Sequence, residues 1–127
     1  MNHSFEIGSI VSAEYKTGEY VGEVVELTSS SKAAVKILAV RKHPTQGDLH
    51  NPMNPNVAFF HQRRALAFQE IALMPLYTIK PFHGTVPEYK ASLEQALLSE
   101  IQGLKQTIQW AERSVQELEQ LKKDYAQ

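Results

Sequence analysis

The chain has 127 residues, 43% of them hydrophobic, and 13 Lys+Arg against 14 Asp+Glu for a net charge of −1; that suits one compact domain or a small domain with an appendage. It contains no cysteine, which excludes disulfides, thiolate metal sites, iron–sulfur clusters, a cysteine nucleophile and lipid attachment through cysteine. The balanced charge argues against a protein whose main work is neutralising nucleic-acid phosphates.

The opening residues 1–6 carry neither the basic nor the apolar region of an export signal. Residues 10–15 and 20–27 are rich in β-branched and aromatic side chains and flank a turn at 16–19, predicting two antiparallel strands. In the second, Val21, Glu23, Val25 and Leu27 alternate with Tyr20, Gly22, Val24 and Glu26; neither face is purely polar, which predicts cover on both sides. Ser29-Ser30-Ser31 reads as a loop, residues 33–40 as a third strand, and residues 64–68 and 76–80 as a shorter fourth and fifth. Five short sequential antiparallel strands predict a small SH3-like β-barrel over residues 1–84. Between the third and fourth lies a Pro/His-rich loop, 43–55, where Pro44, Pro52 and Pro55 combine with Asp48, Asn51 and Asn54 to prevent regular structure. Loops of this length in a compact domain are often functional. The apolar stretch 71–79 is interrupted by Pro75 and falls far short of the roughly 20 residues of a membrane span, so the expected compartment is the cytoplasm.

Composition changes at Gly84. Five of the six glycines and five of the six prolines lie at or before it, and seven of the ten glutamines after it; net charge moves from +1 over residues 1–84 to −2 over 85–127. Strands first and helices second make an α+β chain, with a C-terminal helical region over 85–127. Thr85-Val86-Pro87-Glu88 reads as a capping box. Leu97, Ile101, Leu104, Ile108, Ala111, Val115 and Leu118 then recur at alternating spacings of four and three, one stripe of an amphipathic helix. Ser114-Val115-Gln116-Glu117 is a second capping box, so a helical hairpin broken near Arg113 is preferred slightly over one long helix. Gly103 costs only about 1 kcal/mol relative to Ala and need not end the first helix.

His43, Asp48, His50 and His61 are ligand types for zinc, but they show neither helical i,i+4 spacing nor a His-Glu-x-x-His motif, so no metal ligand is assigned. All five histidines precede the helical region, and His83 beside Gly84 reads as a loop residue rather than a phosphoacceptor. Nucleophile-elbow and phosphate-loop motifs are absent, so no catalytic or cofactor-binding residue is assigned. Arg41-Lys42 and Arg63-Arg64 bracket the loop, with Phe59-Phe60 beside the second pair. Aromatics next to arginines serve protein interfaces or RNA recognition, and Phe59, Phe60, Arg63 and Arg64 are the candidate partner-binding residues. The amphipathic stripe packs on its own domain or on a second copy of the chain, making a homodimer through the C-terminal helices a secondary expectation.

The run His43-Pro44-x-x-Gly47-Asp48-Leu49-His50-x-Pro52, followed by Val57-x-Phe59-Phe60-His61-x-Arg63-x-Ala65-Leu66-Ala67, resembles the kinase-associated protein B family of spore-forming bacilli. The likeness continues through Glu70, Pro75, Tyr77, Lys80-Pro81, Gly84-x-Val86-Pro87-x-Tyr89 and Ser92-Leu93. Earlier, Gly8-Ser9-Ile10-Val11 and Tyr15-Lys16-Thr17-Gly18-x-Tyr20-x-Gly22-Glu23 fit as well. It covers the chain to about residue 97 and weakens in the last thirty. The resemblance implies a β-sheet or SH3-like domain with a helical extension. It also implies a non-enzymatic accessory protein that supports a sensor histidine kinase in the sporulation phosphorelay, aiding phosphoryl transfer to a response regulator. Members are sometimes called lipoproteins; without a cysteine, this chain is expected to meet the membrane only through the kinase. The competing expectations are a metal-dependent enzyme built on the His-rich loop and an RNA-binding SH3-like module.

Overall fold

A computed structural model describes residues 5–127; residues 1–4, part of the segment read for an export signal, lie outside the described residues. The elements are β1 (Ile10–Tyr15), β2 (Gly18–Glu26), β3 (Lys32–Lys42), β4 (Ile71–Pro75), a 3-10 turn (Leu76–Thr78), β5 (Lys80–Pro81) and α1 (Tyr89–Tyr125). The strands form one antiparallel sheet in the order β4-β3-β2-β1-β5, and the fold is α+β.

β1 and β2 form a tight hairpin in which Tyr15 pairs with Gly18, and Lys16 turns the chain at φ 54°. Register shifts along the β2–β3 ladder bend the strands, so that β1 and β4, three places apart, still meet. The two edges, β4 and β5, are not joined by a ladder among the described residues. The sheet is curled but open, where the strand count predicted a barrel. Val11, Tyr20, Val24, Val35, Ile37 and Met74 centre the core. β2 buries residues on both faces: Tyr20 and Val24 enter that core, while Val21 is also buried and pairs with Ala39.

The strand expected at 64–68 does not form; irregular chain continues to residue 70 and the fourth strand comes later, at Ile71–Pro75. The peptide of Leu66 is satisfied by two tyrosines in place of a neighbouring strand. Its N–H donates to Tyr20 Oη at 3.2 Å, and its carbonyl accepts from Tyr89 Oη. The strand expected at 76–80 is mostly the 3-10 turn, with only Lys80–Pro81 paired to β1. Thr78 fixes it, because Oγ1 accepts the Glu14 N–H at 3.1 Å and donates to the Pro75 carbonyl at 2.9 Å.

α1 is one helix of 37 residues, so the hairpin does not form. The Ser114 hydroxyl, expected to cap a second helix, donates back to the Trp110 carbonyl at 2.8 Å, and Arg113 bridges the expected break to Glu117 at 2.9 Å. Thr85 does not open the helix either: the first i→i−4 bond runs from the Ser92 N–H to the Glu88 carbonyl at 2.9 Å. The chain divides into two compact units after Leu97, the second being Leu98–Gln127, not at the composition change near residue 84. The opening turns of α1 therefore belong with the sheet. Ser92 Oγ accepts the Val40 N–H at 2.9 Å, and Ala96 joins the core. The second unit is helix alone up to Tyr125.

Candidate docking surface

The Pro/His-rich loop is closed at its base by one side chain. Gln46 Nε2 donates to the carbonyls of Arg63 at 2.9 Å and Pro44 at 3.0 Å, and its Oε1 accepts the Arg63 N–H at 2.8 Å. Beside this clamp the Gly47 N–H donates to the His61 carbonyl at 2.9 Å, and the Arg63 guanidinium donates to the Gly47 carbonyl at 3.2 and 3.3 Å. Gly47 sits at φ 99°, and a Cβ there would fall 2.8 Å from the Phe60 ring. The backbone angle calls for glycine, whereas the half-exposed Phe60 ring can swing aside.

At the loop's far end Asp48 Oδ1 accepts the His50 N–H at 2.9 Å and Oδ2 accepts the Asn51 amide at 3.0 Å. The Asn51 bond first, then that from His50, holds the Asp48 carboxyl below its ordinary range. His43 Nδ1 lies 3.1 Å from the Pro44 carbonyl, and His61 meets Phe59 edge-on at 4.3 Å between ring centres. No three His, Asp or Glu side chains come together as a metal site among the described residues. The ligand types noted in the sequence are thus not assembled into ligand geometry.

The four partner-binding candidates divide. Phe59 and Phe60 are 66% and 55% exposed. Arg64 is exposed and makes no hydrogen bond or ion pair among the described residues. Arg63 is half-buried and committed to Gly47. Both arginines line a groove of about 520 Å³ together with His43, Tyr89, Leu93 and Leu97, and neither phenylalanine does. A second groove, about 450 Å³, is walled by Leu38, Phe68, Val86 and Pro87 and shares Tyr89 with the first. The Phe68 and Tyr89 rings lie 5.7 Å apart. Burial, and then the nearby Glu70 carboxylate, raise the Tyr89 hydroxyl above its ordinary value.

The surface is thus a cationic groove and an apolar one, with Tyr89 common to both. Sequence reasoning missed Tyr89, Leu93 and Phe68. Leu93 lies four residues before Leu97, so extending the stripe one turn toward the N-terminus would have found it. The strand expected at 64–68 hides Phe68, whose ring contact with Tyr89 leaves no local signal.

A family model described as Kinase associated protein B matches residues 15–126. The chain belongs to this family. It is 43% identical over 123 residues to the protein named Kinase-associated lipoprotein B of Bacillus subtilis (strain 168), a match covering 96% of this chain and 95% of that one. It is also similar to the X-ray crystal structure of kinase-associated protein B from Bacillus cereus, with a TM-score of 0.69 and 42% identity over 98% of this chain and 100% of the other. The family match runs through the last thirty residues, where the motif resemblance fades. The Bacillus subtilis relative is named a lipoprotein, whereas these 127 residues hold no cysteine. No helix among the described residues is long and apolar enough to cross a membrane.

Proposed function

We propose that the chain is a non-enzymatic adaptor of a sensor histidine kinase in the sporulation phosphorelay, aiding phosphoryl transfer to a response regulator from the cytoplasmic side. Family membership supports the kinase as partner, since both relatives are named for association with a kinase. The observation that carries the docking mode is the paired grooves around Tyr89, one of them lined by Arg64, which has no internal partner among the described residues. An exposed guanidinium beside apolar walls suits a segment of the kinase that presents a carboxylate next to a hydrophobic side chain. Phe59 and Phe60 extend the contact from the loop. The adaptor acts by preferring one state of the kinase, because a ligand shifts an equilibrium only through differential affinity. Membrane association follows from the kinase, whereas self-association through the C-terminal helix is a separate proposal that does not rest on it.

The test uses purified kinase, response regulator and adaptor. Arg64→Glu, which touches no internal hydrogen bond, is expected to weaken kinase binding about tenfold or more, an effect typical of an interface arginine, and to reduce stimulation of phosphoryl transfer. The melting temperature should stay at the wild-type value. Arg63→Ala is a poorer probe, since it also frees the Gly47 carbonyl. Wild-type binding and stimulation by an Arg64→Glu/Phe59→Ala variant would place the contact elsewhere.

A further inference from the structure

The second unit carries a surface that its own residues leave uncovered. Within Leu98–Gln127 the seam residues Ile101, Leu104, Ile108, Val115, Leu118 and Tyr125 are between 41% and 79% exposed. A periodic apolar helix longer than about 25 residues is the pattern of a coiled coil, and an uncovered stripe of this kind marks an interaction face.

The order of side chains along the stripe specifies the partner. In heptad terms Ile101, Ile108, Val115 and Lys122 occupy the a positions, and Leu104, Ala111, Leu118 and Tyr125 the d positions. β-branched residues at a with leucine at d favour two parallel strands, and one lysine at a restricts register and oligomer number. Leu98 and Leu121, 49% and 40% exposed, take flanking e and g positions and widen the seam. Glu100 at g and Lys105 at the following e are spaced so that, in a parallel in-register pair, each carboxylate meets the other copy's ammonium. An antiparallel pair would mix the a and d layers, and in the register that best aligns them it sets Lys105 beside Glu112 instead.

We infer that the partner of this helix is a second copy of the chain, paired parallel and in register over residues 101–125 as a two-stranded coiled coil. The pairing does not depend on which protein the first unit engages, so it can fail while the kinase reading stands, and the reverse.

The test uses the full chain. Sedimentation should give a dimer, and Ile108→Lys should raise its dissociation constant about 100-fold or more by placing two like charges in the seam. Circular dichroism is expected to keep the sheet signal. Orientation is read by single-cysteine variants, which the cysteine-free chain allows without background. Leu104→Cys and Leu118→Cys should each form a disulfide-linked homodimer on oxidation. No antiparallel register links both, since one that joins the two copies of residue 104 leaves those of residue 118 about 42 Å apart at 1.5 Å per residue. Glu100→Lys should weaken the dimer roughly three- to tenfold, and Glu100→Lys/Lys105→Glu should restore it. A strict monomer up to roughly 1 mM overturns the proposal, as does association of the helix only with a different protein. Links confined to one cysteine position, or a double charge exchange weaker than the single one, overturn the parallel register.

Discussion

The peptide group of Leu66 shows how single side chains replace secondary structure here. Tyr20, 1% exposed, supplies the acceptor for its N–H and Tyr89 the donor for its carbonyl. Tyr20→Phe keeps the ring and removes only the acceptor, so the expected loss is about 1–3 kcal/mol, the penalty for leaving a partly buried donor unmatched. Chemical denaturation measures it directly. Gly22 is constrained differently: a Cβ there would lie 2.5 Å from the Lys36 carbonyl oxygen and 2.5 Å from a Val35 methyl. The first is backbone and cannot swing aside, so Gly22→Ala is expected to cost about 1–3 kcal/mol through overpacking, read as a lowered melting temperature. Neither tyrosine advertises this role in the sequence. Tyr20 reads as an alternating strand residue whose partner lies 46 positions away, and composition does not encode such a distance.

At the scale of elements, legibility followed locality. β1 occupies the residues its β-branched and aromatic content predicts, since a strand flanked by a short turn depends on neighbours close in sequence. Residues 64–68 are expected as a strand and yet stay irregular, with the tyrosine clamp satisfying the Leu66 N–H and carbonyl in place of a neighbouring strand. Ser114 is ambiguous for a physical reason, as the same hydroxyl can cap a new helix or bond back into an existing one. The structure selects the second, and a substitution separates the two. Proline has no N–H to give and clashes with the preceding turn, so Ser114→Pro within a continuous helix should cost about 3 kcal/mol and lower the helical ellipticity. A turn at that place would accept proline with little change. The four candidate contact residues were legible as a group from their adjacency, but their division was not. Arg63 and Arg64 are neighbours of one type, and only the fold assigns one to the Gly47 carbonyl and leaves the other exposed.

Over the whole molecule the titration behaviour has one dominant direction at high pH. The hydroxyls of Tyr20 and Tyr89 are both raised above the ordinary tyrosine value, in each case chiefly by burial. Unfolded tyrosine releases its proton near about pH 10, while the folded chain still holds both. The unfolded state therefore binds fewer protons there, and stability, complete below that pH, falls as pH rises through the folded values. The denaturant midpoint should drop on the alkaline side, and Tyr20→Phe should flatten the slope while lowering the starting point. A midpoint indifferent to pH up to about 11 would place these hydroxyls in solvent.

The Gln46 clamp carries one more implication. By holding Pro44 and Arg63 together it makes the stretch between them a closed excursion from the domain, with Met53 near its tip, 95% exposed. Chain length inserted at such a tip adds only a slowly growing entropy of closure. Natural variation in this stretch, or a recognition peptide grafted at Met53, can therefore change what the protein displays without renegotiating how it folds.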